Sequence, residues 1–154
     1  MPAEGRQPVI VIYSLADALA AAVAADALDL PVILRVPAEV AAGLGADVIG
    51  NLFALARSEL PHAKLTAAVD CADAPGLALA MLRRGIDRVR VHGSQEMLRR
   101  IADIAAQTGA AAALDGSDDD AAPTLDLLAV DSPRTACAAW LEGFKIRRLK
   151  PNCQ

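Results

Sequence analysis

The sequence predicts an α/β protein built on a parallel sheet of about six strands that alternate with helices. Three observations lead there. Short apolar runs rich in β-branched residues alternate with helix-forming stretches of ten or more residues, as repeated β–α–β units do. The apolar runs are hydrophobic nearly throughout, as parallel strands covered on both faces are. Helix-start and helix-stop residues fall at the joints between the two kinds of segment.

The first strand is "VIVIYS" (residues 9–14), followed by the Ala-rich helix "LADALAAAVAADALDL". Ser14 and Asp17 have the spacing of a capping box at its start. "PVILRVP" (31–37) is the second strand, bounded by prolines. "AEVAAGLGADVIGNLFALARSEL" is one helix, or two broken near Gly43 and Gly45. "KLTAAVD" (64–70) is the third strand, and "DAPGLALAMLRRG" is a helix with Asp73 and Pro75 at its start and Gly85 at its stop. "RVRVHGS" (88–94) leads into "QEMLRRIADIAAQTG", stopped by Gly109. "AAAALDG" (110–116) is a weaker fifth strand. The acidic "GSDDDAAP" after it is loop-like and leaves its helix short or absent. "LDLLAVDS" (125–132) is the sixth strand. Ser132 before Pro133 then opens the last helix, as an N-cap followed by Pro at the first helical position.

The 154 residues suit a single domain spanning 1–154. Hydrophobic residues make up 55% but aromatics only 3%, so the core must be Ala, Val, Leu and Ile. Such a core buries little area per residue, and a homodimer or larger homo-oligomer is expected. A formal charge of −4 argues against nucleic acid, because phosphate backbones want a basic face. The run "KIRRLK" (145–150) reads as a solvated tail or helix end, with an anion or partner contact as the alternative. No signal peptide precedes the first strand, and no uncharged, proline-free apolar run reaches spanning length. Cys71, Cys137 and Cys153 are irregularly spaced with no CxxC. A cytoplasmic protein with reduced thiols and no membrane partner is expected.

In parallel α/β folds, ligands bind beyond the C-terminal ends of the strands. Those ends carry Ser14, Arg35, Asp70 with Cys71, His92 with Gly93 and Ser94, Asp115 with Gly116, and Asp131 with Ser132. Helix capping alone also places polar residues there. Asp70 is the candidate acid or base. Arg35, His92, Gly93, Ser94 and Asp115 are candidate ligand contacts for a small, phosphorylated molecule. Arg35 is expected to be the main anion contact, and Gly93 and Ser94 to add the amides of a helix N-terminus. Cys71 and His92, with Asp70, are the candidate metal ligands. No GxGxxG, Walker A, GxSxG or HExxH string occurs.

Several of these strings resemble the first half of the class II fructose-bisphosphate aldolases, a family of zinc-dependent (β/α)₈ barrels. "LDLPVILRVPAEVAAGLG" is similar to that family's early strand and helix. "AAVDCA" stands at its H-L-D-H-G motif, and "RRGIDRVRVHGS" at A-G-F-x-S-V-M-I-D-G-S. The likeness covers roughly residues 8–116. By this resemblance Asp70 matches the catalytic aspartate, and Gly93 and Ser94 match. Ala68 stands at the first histidine, Cys71 at a zinc-ligating histidine, and His92 at the aspartate of the I-D-G-S string. Six strands in 154 residues cannot close an eight-stranded barrel, which takes about 250 residues. The sheet is therefore a partial (β/α) barrel or an open doubly wound sheet. Three functions follow. One is a non-catalytic aldolase-like domain that holds a small phosphorylated ligand and needs no cofactor. Another is a structural or oligomerisation module without a ligand. The third is a divalent-metal lyase, with zinc as its cofactor and an aldolase-type carbon–carbon cleavage.

Overall fold

The computed structural model describes residues 6–113 and 122–149. Strands and helices alternate along them as β1 (Val9–Val11), α1 (Leu15–Leu28), β2 (Val32–Val36), α2 (Ala38–Glu59), β3 (Leu65–Asp70), α3 (Pro75–Arg83), β4 (Arg88–Arg90), α4 (Gln95–Thr108), β5 (Ala111–Ala113), β6 (Thr124–Asp126) and α5 (Pro133–Leu149). All six strands are parallel, in the order β5-β4-β3-β2-β1-β6.

The helices form one layer. α1 touches α2, α2 touches α3, α3 touches α4, and α5 packs against α1, so the helices run side by side in the order of their strands. The main core lies between that layer and one face of the sheet. It takes alternate strand residues (Ile10, Leu34, Val69, Val89) and helix residues such as Ala21, Phe53, Met81, Ile101 and Leu141. Val9, Ile33 and Ala68 form a separate small cluster on the other face, with Ala122 packed against it and no helix residue in it. A doubly wound sheet would carry helices on both faces. Among the described residues the sheet is singly wound and β5 and β6 are its edges, as in an incomplete (β/α) barrel.

Local sequence sets most boundaries. Ser14 Oγ accepts from Asp17 N (3.2 Å), and Asp17 Oδ2 accepts from Tyr13 N (2.9 Å), one residue before the cap itself. Six alanines buried on α1 (Ala18, Ala20, Ala21, Ala22, Ala24, Ala25) let it sit close to its neighbours. Within α2, Gly45 adopts φ 82° and ψ 170°, a conformation that interrupts the helix where the glycines predict a break. Ser94 caps α4 through Met97 N (3.3 Å), and Gly109 ends it at φ 76°.

Some expectations are corrected. Asp73 does not cap α3: the residue before that helix is Ala74, which offers no side-chain bond. The sixth strand stops at Asp126, and the apolar residues after it turn, with Ala129 at φ 56°. Asp131 and Ser132 therefore stand at the start of α5 and not at a strand end. β4 ends at Arg90, two residues short of His92. Asp115 with Gly116, the acidic 117–120 run and Cys153 lie outside the described residues.

Candidate functional site

Strand alternation sorts the side chains of the mouth onto two faces. Val69 and Cys71 belong to the core beneath the helices, and so do Val89 and Val91. The intervening residues, Ala68 and Asp70 on β3 and Arg88 and Arg90 on β4, belong to the helix-free face. Arg35 on β2 shares that face with Ile33. Register places Arg35 beside Ala68 and Ala68 beside Arg88, so the two arginines flank one alanine in a single row. One step toward the C-terminal mouth, Asp70 lies beside Arg90. Arg35, Ala68, Asp70, Arg88 and Arg90 line one shallow depression, floored by the β3 and β4 backbone at Val69 and Val89.

Asp70 has a structural task as well. Its Oδ1 accepts from Ala72 N (2.9 Å), which closes a turn in which Ala72 holds φ 48°. Ala72 O then accepts from His92 N (2.7 Å), and Cys71 N donates to Arg90 O (2.8 Å), so β3 and β4 stay joined beyond their ends. Asp126 makes the equivalent turn with Leu128 N (2.9 Å).

Cys71 points away from this depression. It is 2% exposed and packs in the main core, with Sγ 3.9 Å from Val69 O. Burial, helped by the charge of Asp70, pushes its thiol up to about 12. A strand turns successive side chains to opposite faces, so Asp70 and Cys71 cannot both face the mouth. Zinc needs a sulfur aimed at the same ion as its other ligands, and this one is turned into the core, away from Asp70. Cys71 is thus a core residue here, and the expected trio of Asp70, Cys71 and His92 is not assembled. His92, Gly93 and Ser94 are exposed beyond β4 and do not line the depression. Of the candidate contacts, Arg35 and Asp70 come together there.

Arg88 and Arg90 escaped the sequence reading, although "RVRV" carries the signal. Basic residues at every second position of a strand make one of its faces cationic. Tyr13 and Asp126 were also missed. They lie at the C-terminal ends of β1 and β6. Burial pushes the Tyr13 phenol up to about 12, reinforced by its hydrogen bond to Asp126 and by the charges of Asp126, Glu39 and Asp17. The mouth is therefore divided, with arginines over β2 to β4 and a phenol–carboxylate pair over β6 and β1.

No protein-family model and no curated protein matches the chain. Among solved structures, a protein from Coccidioides immitis described as a fructose-1,6-bisphosphate aldolase superposes with a TM-score of 0.60 at 18% identity, over 72% of this chain. This chain spans 46% of that one, about half its length. A protein from Sinorhizobium meliloti 1021 described as a tagatose 6-phosphate kinase gives 0.49 at 15% identity, over 93% of this chain and 43% of that one, a likeness too loose to assign anything. At 18% identity the likeness to the aldolase concerns the fold alone: this chain has an aldolase-like α/β architecture.

Proposed function

We propose that the chain is a non-catalytic aldolase-like half-barrel that holds a small phosphorylated ligand on the helix-free face of its sheet. The observation that carries this reading is the convergence of Arg35, Arg88 and Arg90 on one depression in a chain of net negative charge. Guanidinium groups match phosphate oxygens in geometry and charge, and they keep their charge at any working pH. Binding is favoured over metal-dependent lyase chemistry because Cys71, which the resemblance sets at a zinc histidine, is buried in the core on the opposite face from Asp70. A thermal-shift screen tests the proposal, using inorganic phosphate, sugar phosphates and the matching neutral sugars. A ligand at 100 times its Kd adds about 2.7 kcal/mol, a rise of roughly 5–10 °C for a domain of this size. A screen in which no phosphate compound raises Tm above its neutral counterpart refutes the proposal.

The proposal includes self-association. α2 is long and apolar enough to cross a membrane by length and composition alone. Here it packs against α1, α3 and β3 through Ile49, Leu52, Phe53 and Ala56. Leu44, Val48 and Leu55 on its outer side stay 43%, 48% and 50% exposed. A helix apolar on both sides is normally covered on both. Between Asp47 and Arg57 the helix itself has no charged residue, and Arg84 lies along its edge, paired with Asp47 and bonded to Asn51, so a second copy laid on Val48 and Leu55 meets a mainly apolar strip. Light scattering at micromolar concentration should give at least a dimer, and Val48→Glu should give a monomer. A monomeric parent protein refutes this part.

A further inference from the structure

We infer that the anion is seated on the sheet itself, over the methyl group of Ala68, bridged by Arg35 from one side and Arg88 from the other. This inference rests on the proposed binding function and locates the ligand within it. The argument is one of register. Arg35, Ala68 and Arg88 occupy one row on three neighbouring strands, and all three line the depression. Adjacent strands lie roughly 4.8 Å apart, so the two arginine Cα atoms are about 10 Å apart with one alanine between them. Ala68 reaches no further than its methyl. Two guanidinium groups on long stems can therefore close over the gap and share one tetrahedral anion, each through two N–H groups. Any larger residue at position 68 would fill the seat.

The neighbouring row explains why the seat lies here and not nearer the mouth. There the central position of β3 is Asp70, whose carboxylate repels an anion and stands opposite Arg90. Phosphate is thus favoured one row inward, roughly 7 Å along the strand from Asp70. The arrangement also differs from the seat expected at the α4 N-terminus, because Gly93 and Ser94 lie outside the depression. Ala68 thereby acts as the residue that sets the size of the anion accepted. The ligand class is a phosphate monoester whose organic part points outward past Asp70.

Titration calorimetry with inorganic phosphate tests the seat, with each variant first checked by far-UV circular dichroism and a single urea transition. Arg35→Met and Arg88→Met keep the apolar stems and should each weaken binding at least tenfold. Ala68→Leu should weaken it at least thirtyfold. Arg99→Met, on the exposed side of α4, should bind like the parent. Ala68 is 7% exposed; should the leucine variant fail to fold, the two methionine variants decide alone. Phosphate binding by the parent that survives Arg35→Met and Arg88→Met within threefold overturns the seat and leaves the binding function standing. A parent protein that binds no phosphate overturns both.

Discussion

Replacing Asp87 by alanine should destabilise the fold by about 2–3 kcal/mol, through one carboxylate that substitutes for missing strand backbone. Asp87 is the residue before β4. Its Oδ2 accepts from Ala67 N of β3 (2.8 Å) and from Arg57 Nη2 of α2 (2.6 Å), and the same Arg57 nitrogen reaches Leu65 O (3.2 Å). One acid thereby ties α2, β3 and the approach to β4 together. Ala67 is fully buried, so removing its acceptor strands a buried N–H, at about 1–3 kcal/mol. The Arg57–Asp87 pair is 40% and 44% exposed, so solvent screens it and it adds only about 0–1 kcal/mol. Asp87→Asn keeps an acceptor for Ala67 and loses only the charge, so its cost should be about 1 kcal/mol or less. Urea unfolding of the three proteins at equal ionic strength measures both numbers, and hydrogen exchange at the Ala67 amide checks the mechanism. If the alanine variant unfolds within 0.5 kcal/mol of the parent, or if Ala and Asn cost the same, the carboxylate is not completing the ladder.

Three further outcomes are expected. Asp70→Asn should tighten inorganic-phosphate binding by about threefold, since a like charge at roughly 7 Å in a partly screened site is removed; weaker binding would mean that Asp70 assists the anion. Burial raises the Cys71 and Cys137 thiols from 9.0 to about 12 and about 11, so the folded protein holds protons that the unfolded chain releases. Stability from these groups is complete below pH 9 and declines as pH rises toward those values; urea midpoints that stay flat from pH 8 to 10.5 contradict this. Gly45→Ala should cost about 1–3 kcal/mol because of its positive φ. Gly43→Ala, helical and with open space around its Cβ, should stabilise by up to about 1 kcal/mol, and chemical denaturation that ranks the two the other way refutes the kink.

Much of the architecture was legible because β1 and β2 are β-branched apolar runs and α1 and α4 carry their own caps. Ser14, Ser94 and Gly109 behave as their residue types dictate. Strand order was not legible: nothing local in "TLD" tells β6 to return beside β1. The apolar 127–130 run has the composition of a strand, and composition does not encode the left-handed Ala129 that turns it. Cys71 could have been placed from the sequence. Counting by twos from Val69 puts it in the core and puts Asp70 on the other face. The same count along "RVRV" would have found Arg88 and Arg90. A parallel sheet covered by helices on both faces has no room for a charged face, and the single helix layer here leaves one open.

The single helix layer gives the two faces of each strand different evolutionary freedom. Positions 67, 69 and 89 interlock with helices, so a change there must be answered by several partners at once. Positions 35, 66, 68, 88 and 90 alternate with them and meet no helix layer. A combinatorial library confined to that second set should retain folded members at high frequency while diverging in which molecules they capture. Randomising the first set should leave few soluble clones. Such a sheet behaves as a reusable tray, in which a change of contents leaves the frame beneath undisturbed.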